Sequence, residues 1–111
     1  MKPTRAVADR LASLLARYAA AFEALVAARD ARAPTVEVDT CFAALRLQQR
    51  LRWPEGAAGV DEVGRCAHDV LHAWEAAGVH SPRALAAMAH HFDAVQRLQA
   101  QVEALVMREA A

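Results

Sequence analysis

All five histidines of the chain, His68, His72, His80, His90 and His91, fall within 24 of its 111 positions, and Cys66 lies just ahead of them. Imidazole is the side chain of metal ligation, proton transfer and phosphoryl relay near neutral pH. His68 and His72 stand four apart, which puts both rings on one face of a helix and can present two nitrogens to one metal ion. Glu75, Asp61 or Asp69 would supply a third ligand. A dimetal site in a bundle core needs paired Glu-x-x-His motifs. This chain offers only Asp69-x-x-His72 and a reversed His90-x-x-Asp93. The leading reading is therefore solvated surface histidines. Zinc or a similar transition metal on His68, His72 and Glu75 is the alternative, and no other cofactor is expected.

Cys66 and His91 form a second candidate pair. In a helical hairpin the flank of the last segment that carries His91 faces the side of the third segment that carries Cys66 and Ala73. A thiol beside an imidazole can become a nucleophile. Nothing in the sequence supplies an orienting third group or an oxyanion site, and a half-buried histidine bonded to backbone or water is the plainer expectation. His90 is expected on the surface and His80 in a turn. There is no glycine-rich phosphate loop, Ser/His/Asp set or Cys-x-x-Cys pair. A phosphotransfer histidine is normally followed by a lysine and a small residue, whereas Asp69-Val70-Leu71 follows His68 and Ala73-Trp74-Glu75 follows His72. The chemistry-bearing residues thus point away from an enzyme.

The most basic stretch holds Arg46, Arg50 and Arg52 with Gln48, Gln49 and Trp53. Arg46 and Arg50 share a helix face that suits phosphates or an acidic partner, although a solvated face is the simpler account. Thirteen basic and thirteen acidic side chains give a formal charge of zero. Such a balance lacks the electrostatic footprint of a nucleic-acid binder. A helix-turn-helix would also need a shorter link than Trp53 to Gly59.

These residues must be positioned by helices. Ala fills 29 positions, with four Gly and four Pro, a composition that favours helix throughout. The length suits one domain able to bury its own core. Twelve of the thirteen basic residues are Arg, which, with the alanine excess, points to a GC-rich, bacterial source. Cys41 and Cys66 read as two reduced thiols rather than a disulfide framework. Asp9, Arg10, Arg17 and Glu23 interrupt the apolar start, so neither a secretory signal nor a membrane span is expected, and the protein reads as cytoplasmic.

The apolar periodicity predicts a four-helix bundle of antiparallel hairpins. Two long outer helices cover about 4–32 and 82–109, and two shorter ones about 39–53 and 58–77. Val7, Leu11, Leu14, Leu15, Tyr18, Phe22, Leu25 and Val26 stripe the first. Ala33-Pro34 ends it. Val36 and Val38 alternate with Thr35 and Glu37, which suggests a short extended lead into the second helix, capped by Asp39 or Thr40. That helix is apolar on two sides, Phe42 and Leu45 on one and Leu47 and Leu51 on the other, so it is either central or faces a partner. Val60, Val63, Ala67, Val70, Leu71 and Trp74 stripe the third, and Gly78 is placed to end it. Ser81-Pro82 opens the fourth, striped by Leu85, Met88, Phe92, Val95, Val102, Leu105 and Val106.

The short link between the last two helices predicts an antiparallel register in which facing residue numbers add to about 159. Trp74 then meets Leu85, Leu71 meets Met88, and Ala67 meets Phe92. Leu98, Val102, Leu105, Val106 and Met107 crowd the end of the last helix, where one small bundle leaves apolar surface over, and this predicts self-association there. Gln99, inside the stripe, would either fix the register or lie at a wet end of the bundle. The function expected from sequence is a non-enzymatic helical interaction protein: an adaptor, chaperone, regulator or immunity-type module. It would bind a protein partner and form a homodimer through its long helices. The alternative is a metal or small-ligand binder using the His68–His91 region.

Overall fold

Thr4 opens the first helix. Its hydroxyl oxygen accepts the Val7 N–H at 3.2 Å, which satisfies one of the donors that a helix start leaves free. The computed structural model describes residues 3–110 and their side chains as far as Arg108. It is 87% helical, with no strand among the described residues. The elements are α1 (Arg5–Ala28), α2 (Val36–Arg52), α3 (Ala57–Ala77) and α4 (Pro82–Ala110), with a single 3-10 turn, Pro54–Gly56, between α2 and α3.

Packing closes a ring. α1 lies against α2 and α4, α4 against α3, and α3 meets α2. The four-helix bundle expected from the sequence is the fold, 46 Å long and about 20 Å across its other axes. Leu11, Leu14, Leu15, Tyr18, Phe22 and Leu25 of α1 meet Val38 and Leu45 of α2, Val60, Val63 and Val70 of α3, and Leu98, Val102 and Leu105 of α4 in one core. α1 also contains an 18-residue window of mean hydropathy 1.5, which is long and apolar enough to cross a membrane by length and composition. In this fold its stripe is a core stripe.

Local chemistry sets the helix ends, and two differ from expectation. α1 stops at Ala28 rather than near Arg32. Arg29 turns left-handed at φ 51°, and the Asp30 carboxylate accepts the Arg32 N–H at 2.9 Å, a side-chain turn that competes with helix. α2 starts at Val36, before Asp39. The Thr35 carbonyl accepts the Asp39 N–H at 2.9 Å, and the Thr35 hydroxyl donates to the Asp39 carboxylate at 3.0 Å. The alternation of Val36 and Val38 is therefore not a strand signal. Val38 enters the core and Val36 faces water. The start of α4 follows expectation, since Ser81 Oγ accepts the Ala84 N–H at 3.0 Å ahead of Pro82. Gly78 ends α3 at φ 93°.

The α3/α4 register also follows expectation. Arg97 donates to Glu62, and Gly59 lies against Leu98 and Gln101. The rotation of α4 does not. Leu85 and Phe92 are 52% and 57% exposed, while Ala84, His91, Ala94, Val95 and Leu98 are buried. Phe92 therefore does not sit over Ala67. A helix in a closed ring touches two neighbours, so its buried arc centres between them. α4 must face α1 as well as α3, which turns the Phe92 side outward.

The crowded end of α4 is corrected too. Leu98, Val102 and Leu105 are at most 3% exposed, and Val106 is half-buried. α1 and α4 are antiparallel and comparably long, so the N-terminal half of α1 covers the stretch that was expected to overhang. Leu98, Val102 and Leu105 form core and Val106 packs against it, so the four are not a free self-association surface.

Candidate functional site

The expected site residues lie apart. His68 and His72 share a face of α3, with ring centroids 6.3 Å apart and planes within 12°, and both are exposed. Glu75 is exposed as well. Among the described residues, no three His, Cys, Asp or Glu side chains gather closely enough to hold a metal ion. Asp61 is taken by Arg46, which donates to its carboxylate at 2.6 Å. Arg46 also lies over the Phe42 ring, 5.1 Å from its centroid. Arg46 is thus paired within the chain, while Arg50 remains exposed.

Cys66 and His91 do not pair. Cys66 lines an outer α3/α4 groove with His90, Asp93 and Arg97. Burial, followed by Glu62, pushes its thiol pKa up, the opposite of what a nucleophile needs. Cys41 is also free. Burial is again the main cause raising its pKa, with Glu37 adding to it.

His91 instead points to the centre of the molecule. Its Nε2 and the Tyr18 hydroxyl share a buried hydrogen bond of 2.7 Å. The imidazole stacks on Phe22, with centroids 3.8 Å apart and planes 24° apart. Phe42 adds a ring 5.5 Å from Tyr18. A cluster of four rings thus joins α4, α1 and α2, and Arg46 ties it to α3 through Asp61. Burial drives His91 down from its ordinary 6.5 to about 4 and Tyr18 well above the usual phenol range. Both partners are neutral at pH 7.

This pair lies beneath a groove. Between α1 and α4 a cleft of about 620 Å³ is walled by Phe22, Val26, Met88, His91, Phe92 and Val95 and edged by Glu23, Arg29, Gln96 and Gln99. Gln99 therefore stands at a groove edge rather than at a register-fixing core position. Near the α3/α4 turn a smaller hollow of about 240 Å³, lined by Trp74, His80 and Leu85, shares Val26, Arg29 and Met88 with it. Trp74 Nε1 is buried and has no hydrogen-bond partner among the described residues. An apolar cleft with a few polar groups at its base is the usual form of a binding site.

Sequence reading placed Tyr18 in the stripe of α1 without a hydrogen-bond partner and did not expect Gln49 to be buried. Tyr18 carried a signal: a phenol in mid-stripe needs a hydrogen-bond partner once buried. Gln49 carried a weaker one, four residues before Trp53. Its side-chain amide donates to the Trp53 carbonyl at 3.2 Å and so closes the end of α2.

Comparison with protein families, with curated proteins and with solved structures finds no match to this chain.

Proposed function

We propose that the chain is a non-enzymatic helical interaction protein that receives an apolar helix of a protein partner in the groove between α1 and α4. The observation that carries this reading is Phe92. It is 57% exposed on the lip of a half-open apolar cleft with a mixed polar edge. Laying an amphipathic helix into such a groove is a recurrent mode of peptide recognition. Binding along the two long helices agrees with the sequence expectation, but the face moves from the end of α4 to its first half. Two free thiols fit a reducing, cytoplasmic setting.

A photo-crosslinking amino acid at Gln96, used in cells of the source organism, tests the reading. The expected result is one defined protein adduct that disappears when Phe92→Glu is added, with helicity unchanged. Adducts indifferent to Phe92→Glu would overturn it.

A small ligand in the same groove is the second reading. His91 stands in the groove wall, and Trp74, whose Nε1 has no hydrogen-bond partner among the described residues, lines the adjoining hollow. Native mass spectrometry of protein purified from the source organism would reveal such a ligand as a fixed added mass.

A further inference from the structure

The second apolar face of α2 is not central to the fold; it faces water. Val36, Leu47 and Leu51 are 70%, 59% and 66% exposed, and Thr40 and Ala43 between them are exposed as well. These five positions recur at steps of three and four, so they form one ridge about 22 Å long by the helical rise. The ridge lies opposite Val38, Leu45 and Gln49, which are buried. Leaving three large aliphatic side chains in water on one helix is unfavourable unless something covers them.

We propose that a second copy of this chain covers the ridge, through an antiparallel pairing of the two α2 helices about a two-fold axis between Ala43 and Ala44. Three features of α2 select this occupant. The ridge is symmetric about that point: reversed onto itself, it sets Val36 opposite the partner's Leu51 and Thr40 opposite the partner's Leu47. Small side chains stand at its middle, where two helices approach most closely. Its charges are also polarised, with Glu37 and Asp39 in the first turn and Arg50 and Arg52 in the last.

Asp39 and Arg50 flank the same side of the ridge. Antiparallel pairing brings Asp39 beside the partner's Arg50, and symmetry makes the contact twice. A parallel pair would instead set like charges together at both ends. An isologous contact of this kind closes on itself and does not build filaments. Because only one helix pair forms the seam, the dimer is a micromolar one that dissociates on dilution.

The inference rests on reading the chain as an interaction protein, but it uses a different face from the groove, so the two can fail separately. Sedimentation equilibrium of the full chain tests it. Wild type is expected to be a concentration-dependent dimer. Leu47→Glu should weaken it at least a hundredfold, and Arg50→Asp or Asp39→Arg about tenfold each. The double variant Asp39→Arg, Arg50→Asp should recover to within about threefold of wild type. Phe92→Glu, which disables the groove, should leave the dimer intact.

A second readout covers the case in which Leu47→Glu fails to fold. Ala43→Cys, in a Cys41→Ser, Cys66→Ala background, should form an intermolecular disulfide under mild oxidation. A monomeric wild type at 0.1 mM order, a dimer indifferent to Leu47→Glu, a dimer lost with Phe92→Glu, or absence of the Ala43→Cys cross-link would each overturn the proposal.

Discussion

Tyr18 of α1 and His91 of α4, 73 residues apart, share a 2.7 Å hydrogen bond inside the core. The His91 ring is held flat against Phe22, one turn along from Tyr18. The bond satisfies the two polar atoms that face each other and pins the rotation of α4 against α1. Burial favours the neutral form of each partner, so the bond is one between uncharged groups. It also makes the junction of the two long helices sensitive to acid.

The sign of that sensitivity follows from the direction of the shift. His91 is lowered to about 4 in the folded protein from an ordinary 6.5. Between those values the unfolded chain binds a proton that the folded protein refuses. Stability from this site is therefore complete above about pH 6.5 and is lost as pH falls toward 4, by at most about 3 kcal/mol. Urea unfolding at pH 7 and pH 4.5 checks this. The loss should be smaller in His91→Asn than in wild type. In NMR spectra the His91 ring should hold its neutral shifts down to about pH 5.

Removing only the phenol oxygen isolates the bond. Tyr18→Phe leaves His91 Nε2 buried without its partner, and a cost of about 1–3 kcal/mol is expected. Combined with His91→Phe, it should cost less than the sum of the single changes, since both polar atoms then leave together. Chemical denaturation of the four chains measures the coupling, and strict additivity would show that the two residues do not act as a pair.

Leu98 and Leu105 are expected to behave as core residues, not as an interface. Leu98→Ala should cost about 2–5 kcal/mol. Leu105→Glu, which buries a charge without a partner, should unfold the protein rather than release a folded monomer. Circular dichroism together with sedimentation separates the outcomes, and a well-folded Leu105→Glu monomer would contradict the packing described above.

Gly64 of α3 lies against the Phe42 ring of α2. A Cβ placed there would lie 2.8 Å from Phe42 Cζ, and Phe42 is held in place by Tyr18 and Arg46. Gly64→Ala is therefore expected to destabilise by about 1–2 kcal/mol, despite the better helix propensity of alanine. A rise in melting temperature would show that the ring can move aside.

Much of the fold is legible in the residues themselves. The period of apolar side chains, Ser81-Pro82, Gly78 and Ala33-Pro34 dictate four helices and their approximate ends, because these signals act within a few residues. The short link from Gly78 to Ser81 dictates the α3/α4 register, as the Glu62–Arg97 pair shows.

Rotation about a helix axis is a different quantity. A stripe about 100° wide leaves it open, and only the neighbours on both sides decide it. Tertiary structure alone therefore buried His91 on Tyr18 and turned Phe92 to the groove. It also spent Arg46 on Asp61, consumed Leu98, Val102 and Leu105 in the core, and left Leu47 and Leu51 facing water. The sequence by itself determined which residues are helical and which faces are apolar, because those are local properties of the chain. Which apolar faces meet inside the molecule and which remain for something else was decided only by closing the ring, since each pairing of helices excludes the others.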